Sequence, residues 1–294
     1  MTDYSLFLGC MIPLRLPALE STTRILLNKF EINVEDLNDA GCCPDPSLKS
    51  LDQETWTTLA ARNLVLAEEK EQDILTLCNG CFETLKTVNE NLKKDVKLKQ
   101  KINERLDSVD REYQGTIDVK HLVEILSKDV GISRIKKGIT TPLSNLKVAV
   151  HYGCHLLRPG NILNVDDPLR PNILDQLVEA TGAESVPYYK KNLCCGAEVS
   201  GFDSETSKRL VKYKLDNVQR SKADCIVVVC PFCMLQYDVT QRLVKDDNGK
   251  NYDIPVLYYP ELLLLAMGTS LEELQLDMHR TKVNPLIEKI KEAS

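Results

Sequence analysis

The residues in this sequence most able to do chemistry are its 11 cysteines, and ten of them fall into two matching sets. The first set is Cys10, the adjacent pair Cys42-Cys43, and the CxxC pair Cys78 and Cys81; the second is Cys154, Cys194-Cys195, and the CxxC pair Cys230 and Cys233. From the single cysteine to the adjacent pair lie 31 residues in one set and 39 in the other, and from the pair to CxxC lie 34 in both. The flanks repeat too. Ser5 to Cys10 (SLFLGC) and Val148 to Cys154 (VAVHYGC) both end in Gly-Cys, and a largely apolar run of four, Ile74 to Leu77 or Ile226 to Val229, precedes each CxxC. Self-similarity of this kind marks two duplicated halves.

So many thiols suit metal binding or redox chemistry better than a disulfide scaffold, which belongs to small secreted chains. Structural zinc takes four ligands in a closed tetrahedron, and a cubane [4Fe-4S] cluster is ordinarily held by four cysteines. Five cysteines per half exceed both by one, and do so twice. The surplus points to two iron–sulfur clusters, each an unusual [4Fe-4S] with a modified edge. Zinc in one half is the alternative, with His151 and His155 flanking Cys154 as nitrogen ligands. Cys225, the remaining cysteine, precedes Cys230 on the same apolar run; along a strand it lies about 16 Å from the cluster end, too far to ligate. It is expected to be buried packing. Trp56 and the Leu262 to Leu265 run carry the same expectation of core or partner contact.

The elements that must hold these cysteines read as short strands ahead of each one, alternating with helices over Pro17 to Phe30, Asp52 to Lys70, Leu169 to Thr181 and Ser204 to Ser221. Alternation predicts an α/β fold of two Rossmann-like halves with parallel strands, the cysteines gathered at the strand carboxyl ends where such sheets bind ligands. The expected division is a first half over 1–95, a helical connector over 96–145, a second half over 146–268 and a helical tail over 269–294. The connector, Lys-rich at Lys93 to Lys101 and helical around Asp118 to Lys128, reads as a solvated insert. A composition 43% hydrophobic and 27% charged excludes general disorder. A net charge of -6 leaves no basic surplus for nucleic acid. The apolar run Ile226 to Leu235, broken by Pro231, falls well short of the ~20 residues that span lipid, so no membrane span is expected. Asp3 stands where a signal peptide carries positive charge, and the reading is cytoplasmic.

The two cysteine sets resemble the duplicated CCG motif of the heterodisulfide reductase B subunit, and the resemblance covers both halves. Related pairs occur in subunits of glycolate oxidase, anaerobic glycerol-3-phosphate dehydrogenase and some archaeal succinate dehydrogenases. Many of those carry an attached ferredoxin-like C-x-x-C-x-x-C-x-x-x-C-P run. This sequence has none, and so looks like the free-standing B subunit. The pattern departs at Pro44, which takes the place of the motif's first glycine and leaves the loop geometry there open. The resemblance implies a catalytic subunit that reduces the mixed disulfide of coenzyme M and coenzyme B to two thiols, one electron reaching each sulfur from each cluster. It implies as partners a ferredoxin-like iron–sulfur subunit, a flavin-containing subunit and, through the latter, a hydrogenase or formate dehydrogenase. That substrate carries a sulfonate and a phosphate, for which Arg15, Arg158, Lys190, Lys191 and His155, all near cysteines in sequence, are the candidate contacts. The runner-up readings are a CCG-type electron-transfer subunit of a quinone-linked dehydrogenase, and one iron–sulfur cluster paired with one zinc site.

Overall fold

The computed structural model describes residues 3–292. Strands β1 (Asp3–Phe7), β2 (Asn33–Asp36), β3 (Asp73–Thr76) and β4 (Val119–His121) form one parallel sheet in the order β2-β1-β3-β4. Strands β5 (Lys147–His151), β6 (Glu184–Ser185), β7 (Cys225–Val228) and β8 (Val256–Tyr258) repeat that order as β6-β5-β7-β8, again all parallel. The central strands are mostly apolar along their buried length, as parallel strands covered on both faces tend to be, with Ser5, Thr76 and His151 the buried polar exceptions; all of Cys225–Val228 is inaccessible. The outer strand β2, by contrast, is short and charged, which protects an open sheet edge from further pairing.

The helices begin where the sequence supplies a cap. Pro17 opens the helix Pro17–Lys29 at a position where its missing N–H costs nothing. Asp52 accepts from Thr55 N at the start of Gln53–Glu68, and Asp203 accepts from Thr206 N at the start of Ser204–Arg220, the same device in each half. Trp56 and Leu262 to Leu264 are wholly buried and serve the core. Cys225 is sealed at the far end of β7, at the opposite end from Cys230.

Two segments differ from expectation. The stretch around Asp118 to Lys128 is not helical throughout: it opens with β4, which pairs with β3 and completes the first sheet, before turning helical at Leu122. Its alternation of one polar residue between buried Val119 and His121 is too short to distinguish strand from helix by period. Nor is the connector a solvated insert, since Ile102, Leu106, Tyr113, Val119 and Ile125 are buried in the core. The tail is also integrated: Arg280 N and Thr281 N donate to Asp238, and Leu286 is buried. Among the described residues no helix is long and apolar enough to cross a membrane.

Candidate metal centre

Each sheet has its central pair of strands, β1 with β3 and β5 with β7, at the point where strand order reverses, and crevices form there. Cys10 and Cys154 follow the first strand of each pair, and the CxxC segments follow the second. Cys78 and Cys230 sit in extended conformation immediately before the helices Asn79–Lys94 and Pro231–Thr240, so each CxxC straddles a helix N-terminus, which favours thiolate over thiol. Gly9 and Gly153 hold the turns, with φ of 66° and 76°. A Cβ on Gly9 would lie 2.8 Å from Cys81 Sγ, and one on Gly153 would lie 2.3 Å from Asn79 Nδ2, so both the backbone and the space demand glycine.

All ten cysteines of the two sets line one cleft with about 820 Å³ of space unfilled by protein atoms, its mouth included. Their thiols form a continuous array. Cys10 contacts Cys42, Cys42 contacts Cys43, Cys43 contacts Cys81, and Cys81 contacts Cys78. Cys78 Sγ then meets Cys230 Sγ of the other half at 3.9 Å. Beyond it come Cys233, Cys195 at 3.5 Å from Cys233, then Cys194, then Cys154 at 4.0 Å from Cys194. The order on either side of the Cys78–Cys230 contact is the same, so the array is symmetric about it.

No pair in the array is bonded as a disulfide. Charge is shared unevenly along it. Hydrogen bonds from Cys42 and Cys81 draw Cys43 down to about 5, those from Cys154 and Cys195 hold Cys194 far below the usual thiol range, and Cys233 with Cys78 does the same for Cys230. The other seven are pushed up, Cys10 and Cys154 mainly by hydrogen bonding to a neighbouring sulfur and then by burial. Packed thiols cannot all ionise without compensating positive charge, and a soft metal centre supplies it. The donor set, all sulfur, crowded and reduced, fits iron–sulfur ligation.

Behind the array, each half braces its paired-cysteine loop with the residue 11 places after the capping aspartate. In the first half this is Asn63, whose Oδ1 accepts from Gly41 N at 2.9 Å and whose Nδ2 donates to Cys42 O at 3.0 Å. In the second it is Lys214, fully buried, whose Nζ donates to Lys190 O and Lys191 O, both at 2.7 Å. Burial pushes the Lys214 amine down to about 7. Pro44, where the motif loses its glycine, presents its carbonyl to Thr84 Oγ1 at 3.1 Å; the matching Gly196, at φ 82°, presents its own to Ser207 Oγ at 2.9 Å. Each carbonyl is thus held by a helix hydroxyl, from the helix after CxxC in the first half and from the helix before β7 in the second. The halves also grip one another. Tyr258 OH donates to Leu77 O, beside Cys78, at 2.6 Å, while the matching His121 turns Nε2 toward the Val229 backbone, beside Cys230, without completing a hydrogen bond. Asn79 Nδ2 donates to Tyr152 O across the same boundary at 2.8 Å.

Of the five expected substrate contacts, His155 lines the cleft, with Nδ1 3.3 Å from Glu198 Oε1. Arg15, Arg158 and Lys190 are exposed and are not among the lining residues; Arg158 donates to Pro168 O at 3.2 Å. Lys191 is paired with Asp175 outside the cleft. Among the described residues that line the cleft there is no lysine or arginine, and Asp45 and Glu198 make its rim acidic. The segments that follow or precede these cysteines carry the Arg15, Arg158 and Lys190 side chains to the surface. The bracing residues Asn63, Lys214, Asn79 and Tyr258 were not anticipated. Asn63 and Lys214 carried a signal, a polar residue at the same place on the apolar side of two matching helices.

The cysteine-rich CCG domain model matches residues 4–86 and 148–238, one copy per half, and the chain belongs to that family. Within it, the chain is 45% identical to the B subunit of the ferredoxin:CoB-CoM heterodisulfide reductase of Methanosarcina mazei, over 100% of this chain and 99% of the relative. It is therefore a member of the family of heterodisulfide reductase B subunits, which are disulfide oxidoreductases. It is also 30% identical, over 94% of its length and 95% of the relative, to the membrane anchor subunit of the 8-methylmenaquinol:fumarate reductase of Wolinella succinogenes. A solved structure of a hypothetical protein from Helicobacter pylori shares the fold with a TM-score of 0.76 and 16% identity, covering 96% of this chain and 52% of that one.

Proposed function

We propose that this chain reduces the mixed disulfide of coenzyme M and coenzyme B to the two free thiols, consuming two electrons and two protons. The observation that carries this reading is the single cleft in which two equivalent sets of five thiols meet at the Cys78–Cys230 contact. Each half, 1–95 and 146–268, would hold one unusual [4Fe-4S] cluster through its five cysteines. When bound, the clusters supply one electron each and accessible iron for the separating sulfurs. The chain's own part is to hold ten thiolates at two facing sites. Gly9 and Gly153 keep the cysteine loops close, Tyr258 and Asn79 fix the distance between halves, and the apolar walls at Leu8, Met11, Pro231 and Phe232 exclude water. His155 is the candidate substrate contact inside the cleft. Arg15, Arg158, Lys190 and Lys191 would reach the sulfonate and phosphate only where those arms project past the rim.

In this reading the protein works in the cytoplasm with a ferredoxin-like iron–sulfur subunit, fed by a flavin-containing subunit and a hydrogenase or formate dehydrogenase. The names of the relatives, each a component of a reductase, support membership of a larger complex. The relationship to the fumarate reductase subunit supports a second reading, transfer of electrons from a quinol. The test is anaerobic single-turnover reduction of the heterodisulfide by the pre-reduced complex. Cys43→Ser and Cys195→Ser are each expected to lower the yield of free thiol by at least about 100-fold, because groups acting as a unit fail together. Full thiol yield from either variant, or reduction by menaquinol with no reaction of the disulfide, would favour the second reading.

A further inference from the structure

The two sites differ in one residue that faces the sulfurs directly. His151 ends β5, and Phe7 ends β1 at the matching place, each three positions before the cysteine of its Gly-Cys turn and each 1% exposed. The His151 ring lies with Cys195 and Cys233 in a group whose donor atoms are all within 4.8 Å of one another. Neither Nδ1 nor Nε2 has a hydrogen-bond partner in the protein. Its plane is set by an edge-to-face contact with Tyr237, centroids 4.9 Å apart at 83°. A buried neutral imidazole always carries one N–H and one lone pair, and a buried donor without an acceptor is strongly disfavoured. Phe7 offers the first site no donor.

We propose that His151 donates a hydrogen bond to the sulfur framework of the second-half cluster along its Cys195–Cys233 edge, and makes that cluster the easier of the two to reduce. This rests on the two-cluster reading above. Reduction adds negative charge to the sulfurs, and an N–H aimed at them stabilises the reduced form more than the oxidised one, which raises the reduction potential. The site built around Phe7 lacks that stabilisation. Electrons entering the pair therefore settle first on the second half, and the first-half site is left to complete the two-electron step. His151 is a tuning residue; the sulfur ligands remain the ten cysteines.

The test uses the full chain, reconstituted anaerobically, with the first-half site removed by Cys42→Ser and Cys43→Ser so that one cluster titrates. Potentiometric titration followed by electron paramagnetic resonance then compares wild-type His151 with His151→Phe, which copies the first half, and His151→Gln, which keeps an N–H donor. His151→Phe is expected to retain its iron and to shift the midpoint potential downward by about 59 mV or more, a tenfold change for one electron. His151→Gln should recover at least half of that shift. The same His151→Phe change in a Cys194→Ser, Cys195→Ser background should leave the first-half potential where it was. If His151→Phe does not fold, His151→Leu removes the donor with less bulk and carries the same expectation. An unchanged potential at full iron content would overturn the proposal, and so would iron loss equal to that of Cys195→Ser, which would make His151 a ligand. Absence of iron and labile sulfide from the unmodified protein would instead defeat the two-cluster reading itself.

Discussion

The two halves share a strand order, a cysteine spacing and a pair of helix caps, yet they surround their thiols with different chemistry. Phe7, Asn63 and Leu85 stand behind the first site; at the matching places in the second are His151, Lys214 and Tyr237. The first three side chains carry no ionisable group. The second three supply an imidazole, an amine and a phenol, all buried. The backbone carries the ligands, so the scaffold must stay alike in both copies. Side chains one layer back touch only the electrostatics, and there the copies are free to diverge. A symmetric ligand array can in this way house two unequal redox sites.

The largest expected effect follows from the two turn glycines. Alanine at either position forces a non-glycine residue into the left-handed region, at about 1 to 3 kcal/mol from the backbone alone. At Gly9 the added methyl strikes Cys81 Sγ and so concerns the first half; at Gly153 it strikes Asn79, which joins the halves through Tyr152 O. Gly9→Ala is expected to lose about half of the bound iron and Gly153→Ala more than half. Equal, small losses in iron assays of the two variants would show that the Asn79 bridge does not couple the sites.

A somewhat smaller effect distinguishes the outer strands of the two sheets. Burial opposes the charged form of His279, but the buried Glu261 carboxylate 3.0 Å away outweighs it and lifts the imidazole to about 9. The folded value lies above the unfolded one of ~6.5. The stabilisation is thus complete below about pH 6.5 and is lost as pH rises through about 9, at most about 3 kcal/mol in all. In the first half the matching Glu124 is paired with Lys128 instead of a histidine. Melting temperatures of the wild type should fall between pH 6.5 and 10, and His279→Asn should flatten that slope. A slope unaltered by His279→Asn would assign the pH dependence elsewhere.

The smallest expected effect concerns the grip between halves. Tyr258→Phe removes the donor to Leu77 O and leaves a buried carbonyl unpaired, for a loss of about 1 to 3 kcal/mol in denaturant unfolding. His121→Asn, which removes the unpartnered Nε2 at the matching place but keeps an acceptor for Val123 N in place of Nδ1, should cost less. The reverse ranking would contradict the picture of one closed and one open clasp.

Much of this was legible in the sequence. The duplication, the parallel α/β halves, the cysteines at the strand ends and the burial of Cys225 all followed from spacing and from short apolar runs, because those features depend on local order. β4 was not legible: three residues carry too little period to separate strand from helix, and pairing with β3 decides the matter. Which cations face the cleft was not legible for a related reason. Nearness in sequence to Cys10, Cys154 or Cys194 says nothing about which way the adjoining helix or loop faces, and Arg15, Arg158 and Lys190 face outward. Contacts across the halves, such as Cys78 with Cys230 and Tyr258 with Leu77, join residues 152 and 181 positions apart and have no local signature.

The proposal on which the rest depends is two iron–sulfur sites with matching ligand sets, one per half, built from five cysteines each. It is tested most directly by counting iron and acid-labile sulfide in the anaerobically purified chain and in two double variants, Cys42→Ser with Cys43→Ser and Cys194→Ser with Cys195→Ser. The account predicts a brown protein in which each double variant keeps about half of the wild-type iron and half of the sulfide, since damage to one site spares the other. Zinc without sulfide in the wild type, or one double variant that loses all the iron while the other loses none, would contradict it.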